Sequence, residues 1–453
     1  VSDDSVIAEA LARARQLASQ GEDEAAKSAY LAILQRDPSH FAALNELGTL
    51  AYASGHRSAA RTAYEQAVRC HPDNPIGRVN LANLLCEEGA FAAARSHYEA
   101  ALAADPALAA AHQGLGRLLT ELGEGEAAAA HWQTGFAGHA VTHQRYRGTA
   151  PSVPVLLLVS AKGGNIPTQP FLDDHVFEVS ALYAEFYDPT EPLPPHVLAL
   201  NAIGDADLCG EALTRAEELL ARTKAAVINS PALVRATGRV ANAQRLAKLS
   251  GVVAPAIAAL SRAALLAAKD LRFPLLLRAP GFHTGRHFVR VERQEELAAA
   301  VAALPGDEVL AIEYLDARGP DGMARKYRVM IIDGVLYPLH LAVSKDWKVH
   351  YFTAGMAANS AYRAEEQRFL EAMPSVLGER AMAALAAIGR TLGLDYAGVD
   401  FALAADGSLL LFEANATMVV NPPDPDPVWD YRRAAIGRVL DAAKRMLLAR
   451  AKL

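Results

Sequence analysis

Apolar and polar positions along the chain follow two regimes. Through the first third they recur with a step of 34 residues: Pro38, Pro72 and Pro106; Gly21, Gly55, Gly89 and Gly123; Ala26, Ala60, Ala94 and Ala128; and the aromatics Tyr30, Tyr64, Tyr98 and Trp132. Several registers of one period predict a repeated helix-turn-helix unit. Glycine ends the first helix, the small alanine lets two helices approach, the aromatic fills the space between units, and proline stops the second helix. Leu47-Gly48, Leu81-Ala82 and Leu115-Gly116 add the small residue of the first helix.

From His139 to Pro154 helical period is lost, which marks a domain boundary. Beyond it, short apolar runs predict strands at Val155–Ser160, Phe177–Leu182, His196–Ile203 and Ala225–Asn229, with a helix at Cys209–Arg222. Strands alternating with helices predict a small parallel sheet. The segment Lys162-Gly163-Gly164-Asn165 lacks a nucleotide fingerprint and reads as a tight strand-to-loop turn; Asn165, His175 and Asp205 fall near strand ends, where such sheets bind ligands. An amphipathic helix then runs through Leu249. Phe273–Arg278 is a buried strand ending in a cation, followed by a loop with Gly281, His283, Thr284 and Gly285 and a returning strand from His287. By itself that loop is a hairpin turn. Further strands are predicted at Val309–Leu315 and in a hairpin that opens at Lys326-Tyr327-Arg328, and Tyr431–Ala449 is a last helix.

The most informative pattern is the hairpin formed by Tyr396–Leu403 and Leu409–Asn415 around the turn residues Ala405-Asp406-Gly407-Ser408. Asp400 interrupts its first apolar run, and Glu413 and Asn415 close the second. Uncompensated charges do not belong on a buried strand. Three oxygen-bearing side chains gathered across a hairpin therefore call for a cation, and a hard divalent ion such as Mg2+ shared with phosphates is the natural one. A solvated edge is the alternative, and the apolar run Leu409–Phe412 weighs against it.

Composition narrows the classes. A chain of 453 residues, 52% hydrophobic and 21% charged, has room for two to four soluble domains. Its net charge of −7 gives no electrostatic reason to expect nucleic acid or an anionic membrane as partner. Cys70, Cys86 and Cys209 form no paired spacing, which fits a reducing cytoplasm. No apolar run reaches membrane-spanning length and the first residues are no signal peptide; the start at Val1 rather than Met points to a short missing beginning.

The 34-residue pattern resembles the tetratricopeptide repeat over roughly residues 7–140, as four units. Its second unit matches best (Leu44, Leu47, Gly48, Gly55, Ala60, Tyr64, Ala67, Pro72), whereas the first, with Ala10 and Arg13-Ala14, departs as a capping repeat would. The repeat register places Asn45, Thr49, Asn80, Asn83, Gln113 and Arg117 on the concave groove, where asparagines can bind the backbone of a peptide or protein substrate. The same face equally suits a solvated surface or the contact of a homodimer.

The order of elements in the remainder resembles the ATP-grasp superfamily over roughly residues 153–450, and within it carboxylate–amine ligases such as D-alanine–D-alanine ligase, glutathione synthetase and the ribosomal-protein glutamate ligases. Gly398-Val399-Asp400 with Glu413-Ala414-Asn415 is the most specific part. The resemblance implies that Asp400, Glu413 and Asn415 hold Mg2+ against ATP. It puts Arg239 and Arg278 where relatives have phosphate-binding lysines, a departure in geometry though not in charge. It further implies that Gly281, Thr284 and Gly285 form a lid over the triphosphate, and that Glu313, Tyr314 and Leu315, with Phe412, meet the nucleoside. Arg328 would face the acyl phosphate, with Arg278 as its catalytic companion. The basic run holding His340, Lys345, Lys348 and His350 would take a small-molecule carboxylate or amine substrate, or be a solvated loop. Where relatives carry a glycine-rich acceptor segment, this chain has Asn421-Pro422-Pro423-Asp424-Pro425-Asp426-Pro427.

The expected architecture is thus multidomain: an all-α repeat solenoid (1–140), a linker (141–154), an α/β domain (155–230), and an α+β ATP-grasp fold with a small lobe (231–315) and a large lobe (316–453). The expected activity is ATP- and Mg2+-dependent amide formation through an acyl phosphate, on a peptide or protein recruited by the repeats. A kinase on the same fold, or a nucleotide-regulated adaptor without catalysis, are the alternatives.

Overall fold

Each 34-residue step becomes a pair of packed helices. The computed structural model describes residues 3–281, 285–351 and 354–452, and the chain divides into two compact units, Val1–Thr142 and His143–Leu453. The first holds α1 (Asp3–Ser19), α2 (Asp23–Arg36), α3 (Phe41–Ala53), α4 (Arg57–Cys70), α5 (Pro75–Glu87), α6 (Phe91–Ala104), α7 (Ala109–Leu122) and α8 (Gly125–Phe136). Gly21, Gly55, Gly89 and Gly123 all lie at φ between 76° and 80°, the left-handed turn that glycine adopts without steric cost. The periodic small residue and the periodic aromatic turn out to be partners within one repeat. A Cβ on Gly48 would stand 2.6 Å from the ring of Tyr64, and one on Gly116 would stand 2.9 Å from Trp132.

The polar side chains expected on the groove are bonded inside the array. Asn80 Nδ2 donates to Asn45 Oδ1 (2.7 Å), Asn83 Oδ1 accepts from Tyr98 Oη (2.6 Å) and from Arg117 Nη2 (3.3 Å), and Gln113 Nε2 donates to the Gly135 carbonyl (2.7 Å).

In the second unit, which β1 (Val141–His143) leads into, β2 (Val153–Val159), β3 (Phe177–Tyr183), β4 (Leu198–Asn201) and β5 (Ala226–Ile228) form a parallel sheet ordered β3-β2-β4-β5, with α9 (Gly210–Leu220) between the last two strands in sequence. The strands are buried on both faces, as their continuous apolar runs require. A short helix, α10 (Pro231–Arg235), precedes the expected amphipathic helix, α11 (Arg239–Leu246), which starts after Gly238 and ends short of Leu249.

Two antiparallel sheets follow. The smaller, ordered β7-β10-β8-β9, joins β7 (Ile257–Ser261), β8 (Leu275–Arg278), β9 (Phe288–Val291) and β10 (Glu308–Glu313), and it buries Leu275, Leu277, Val291 and Val309 against α12 (Arg262–Ala267) and α13 (Leu297–Ala302). The larger is ordered β12-β11-β13-β14-β6, from β6 (Val252–Val253), β11 (Ala324–Ile332), β12 (Val335–Ser344), β13 (Tyr396–Leu403) and β14 (Leu409–Asn415). It packs against α14 (Ser360–Leu392), which is interrupted at Ala372 and Gly378 around Pro374, and α15 (Asp430–Arg450). Asn229, at the end of the parallel sheet, exchanges two hydrogen bonds with the backbone of Tyr396 (2.8 and 2.9 Å), which fixes that sheet to the start of β13.

Candidate active site

The register of the larger sheet sets four chemistry-bearing residues in one row. His340 on β12 stands opposite Arg328 on β11, Arg328 opposite Asp400 on β13, and Asp400 opposite Glu413 on β14. Directly opposed residues project from the same face, so the row is one continuous stripe of side chains. Two β-bulges bracket it. Leu339 is the extra residue beside His340, and Phe412 the extra residue beside Glu413. Bulges re-aim the side chains next to them. Gly398, opposite Asn415, has no room for a side chain, because a Cβ there would lie 2.5 Å from Met418 and 2.9 Å from Met330 Sδ.

Each carboxylate of the row is compensated. Asp400, 4% exposed, accepts from Arg328 Nε (2.5 Å) and Nη2 (2.8 Å) and from Lys326 Nζ (3.1 Å). Burial pushes its carboxyl up, but Arg328 and Lys326 outweigh that and hold it well below the usual carboxylate range. Glu413 accepts from Arg239 Nη2 (2.9 Å) and from Asn415 Nδ2 (3.0 Å). Burial raises it as well, while Arg239, with Arg278 and Arg328, brings it below its ordinary value. Arg239 is fixed at the first residue of α11, where its N–H donates to the Asp207 carboxylate (3.1 Å). Arg278 ends β8 and lies over the ring of Phe288 (5.6 Å); burial and Arg239 lower its pKa from that of a free guanidinium, although an arginine stays charged.

A pocket opens beside the Glu413 end of the row. Asp207, Arg239, Glu413 and Asn415 line its polar side, and Ile257 and Phe412 its apolar side. Glu313 exchanges hydrogen bonds with the backbone of Ala256 (3.0 and 2.9 Å). Tyr314 stacks under Arg290 at 4.1 Å, and Leu315 follows half-buried. Gly281 and Gly285 both have positive φ, as a turning loop requires; Thr284, with His283, lies outside the described residues. Lys348 Nζ donates to the Gly285 carbonyl (2.8 Å).

The basic run splits in two. His340 belongs to β12 and is buried, since Leu339, Leu341, Ala342 and Val343 are covered on both faces, whereas Lys345 is exposed in the turn that follows. Lys326 and Asp207 were not singled out from the sequence as site residues. Lys326 carried a readable signal: two positions before Arg328 on a strand, it had to share that residue's face. Asp207 carried none, because its place depends on the tertiary approach of α11. Among the described residues, no three His, Cys, Asp or Glu side chains come together to hold a metal ion, and no helix is long and apolar enough to cross a membrane.

Tetratricopeptide repeat family models match residues 11–75, 45–109 and 85–136, so the N-terminal region carries tetratricopeptide repeats. No curated protein matches the chain. Among solved structures, it is similar to MamA (20% identity, TM-score 0.26, covering 27% of this chain and 72% of that one). It is also similar to a tetratricopeptide repeat protein from Parabacteroides merdae (22% identity, TM-score 0.27, covering 29% and 53%). A RimK domain ATP-grasp protein from Sphaerobacter thermophilus matches 66% of this chain and 100% of its own length, at 18% identity and a TM-score of 0.42.

Proposed function

We propose that the second unit is an ATP-dependent carboxylate–amine ligase, and that the repeats recruit its peptide or protein substrate. The observation that carries this is the row itself. Two carboxylates from paired strands, Asp400 buried and Glu413 half-buried, with Asp207 beside the second, meet four cations: Lys326 and Arg328 on Asp400, and Arg239 and Arg278 about Glu413. A structural ion pair needs one partner per charge, whereas an arrangement of this kind suits a substrate that brings its own negative charge.

The donor set fits Mg2+. Asp400, Glu413 and Asn415 offer hard oxygens from adjoining strands, and an incomplete protein set is the usual one for an ion that keeps waters and phosphate oxygens as further ligands. Bound there, Mg2+ would neutralise charge on the phosphate oxygens of ATP. The chain's own part is positioning and charge stabilisation. Arg239 and Arg278 would hold the polyphosphate beside Glu413, with Phe412 and Ile257 as the apolar wall for the base. Arg328, two hydrogen bonds deep in Asp400, is pre-aimed along the row. Its guanidinium would face the carboxylate oxygens as they attack the γ-phosphorus, and then those of the acyl phosphate before an amine displaces phosphate.

Incubation of the full chain with Mg-ATP and a panel of peptides and amino acids, followed by mass spectrometry and nucleotide analysis, tests this. A product lighter than its two substrates by one water, with ADP and phosphate released, is expected. A gain of one phosphoryl mass on a hydroxyl or guanidine, or no ADP release with any pair, counts against it.

A further inference from the structure

The row has two ends, and the ligase function proposed above, on which this inference rests, accounts for only one of them. Glu413 borders the pocket with Arg239. At the opposite end stands His340, 6% exposed, whose Nδ1 is buried and has no hydrogen-bond partner. A buried imidazole nitrogen without a partner is a standing cost, and in native structures such atoms have a reason. Its ring lies against Tyr351 at 4.9 Å between centroids. The β-bulge beside His340 mirrors the one beside Glu413, so both outer members of the row are re-aimed by the same device.

We propose that His340 Nδ1 is the hydrogen-bond acceptor for the attacking amine of the ligation, holding its N–H so that the nitrogen lone pair points at the activated carboxylate beside Arg328. The neighbouring groups divide the work by chemistry. Arg328 and Lys326 carry only donors and suit the oxygens of a carboxylate or acyl phosphate. An amine needs an acceptor, and Asp400, the carboxylate of the row nearest His340, is committed to Lys326, Arg328 and the Mg2+ proposed above. Burial first, and then the positive charge of Arg328, Lys326 and Arg432, keep the imidazole unprotonated, so a lone pair stays available on the ring. In the step served, the C–N bond forms and the C–O bond to phosphorus breaks. Phosphate leaves with that electron pair and takes the proton shed by nitrogen. His340 positions the nucleophile and neither gains nor loses a proton.

The test compares two nucleophiles in the full chain with Mg-ATP and a panel of free and peptide carboxylates. One nucleophile is an amino-acid amine; the other is hydroxylamine, small enough to trap an acyl phosphate as hydroxamate without being oriented. His340→Leu removes the acceptor, and His340→Gln keeps an oxygen acceptor. For His340→Leu, kcat for amide formation is expected to fall about 100-fold, the scale of a misplaced reactant, while the KM for ATP and the rate of hydroxamate formation stay at wild-type values. His340→Gln recovers part of the loss. Equal losses with both nucleophiles, as partial unfolding would give, overturn the proposal, and so does undiminished amide formation. If the wild type forms neither hydroxamate nor amide with any carboxylate, the ligase function itself fails and takes this role with it.

Discussion

Arg328 grips Asp400 with both arms of its guanidinium, Nε on Oδ1 at 2.5 Å and Nη2 on Oδ2 at 2.8 Å, and the two residues are also cross-strand partners. A lysine at 328 would keep the charge and lose the fork, because an ammonium is a point donor. Arg328→Lys should lower ATP-dependent turnover about 100-fold, as loss of one oriented donor does. The fold should survive, since Lys326 still pairs with Asp400. Steady-state kinetics beside a thermal melt separate the two effects; a collapsed melting temperature would make the pair structural instead.

Glu413 accepts a hydrogen bond from Arg239 (2.9 Å) and is one of the three side chains that would hold Mg2+. Glu413→Gln preserves its shape and removes its charge. The Mg2+ concentration for half-maximal turnover should rise at least about tenfold, no less than the loss of an outer-shell partner costs. A Mg2+ titration at saturating ATP measures it, and an unchanged half-saturation point removes Glu413 from the ligand set.

In the repeats, two glycines predict opposite signs for one substitution. A Cβ on Gly114 would sit 2.3 Å from the ring of Tyr98, which is fully buried and tied to Asn83, so it cannot give way. Gly114→Ala should destabilise by about 1–3 kcal/mol through overpacking. Gly125, the first residue of α8, meets nothing within 4 Å. Gly125→Ala should stabilise by about 0.4–1 kcal/mol by restricting the unfolded chain. Denaturant melts of the two variants should bracket the wild type; shifts in one direction would contradict the packing.

Acid should loosen α7 and α8 selectively. His112 Nε2 lies 3.0 Å from the Pro106 carbonyl, which requires a proton there, so His112 Nδ1 accepts from His131 Nδ1–H at 2.8 Å. Burial, then His112, holds His131 below its ordinary 6.5. A histidine with a depressed folded-state pKa contributes stability that is present above its unfolded value and lost as pH falls through the folded one. Hydrogen exchange in α7 and α8, corrected for intrinsic rates, should therefore accelerate as pH drops below 6.5, and less so in His131→Gln. Equal acid sensitivity in both proteins would show that the pair is not responsible.

Much of this was legible in the sequence because the signals were local. The period of Gly21, Gly55, Gly89 and Gly123 was the left-handed turn of every repeat, and the turn residues between two apolar runs were enough to bring Asp400 and Glu413 onto one hairpin. What escaped depended on distant segments or on register. His340 looked like part of a basic loop because Lys345 and Lys348 follow it, yet helices packed on β12 bury it. The hydrogen bond from Asn80 to Asn45 was not foreseen either, since it depends on how neighbouring repeats stack. Neither bulge was foreseeable, since each depends on which residue of the partner strand is skipped.

Oxygen transfer tests the central claim most directly. The full chain is supplied with Mg-ATP, an amine and a panel of carboxylates labelled with oxygen-18 in the carboxyl group, and the inorganic phosphate is analysed by mass. If the carboxylate attacks the γ-phosphorus and an amine then displaces phosphate, one labelled oxygen must appear in the phosphate released with each amide. Phosphate that carries no label while ATP is consumed would mean that no acyl phosphate forms, and the row from His340 to Glu413 would then serve a different chemistry.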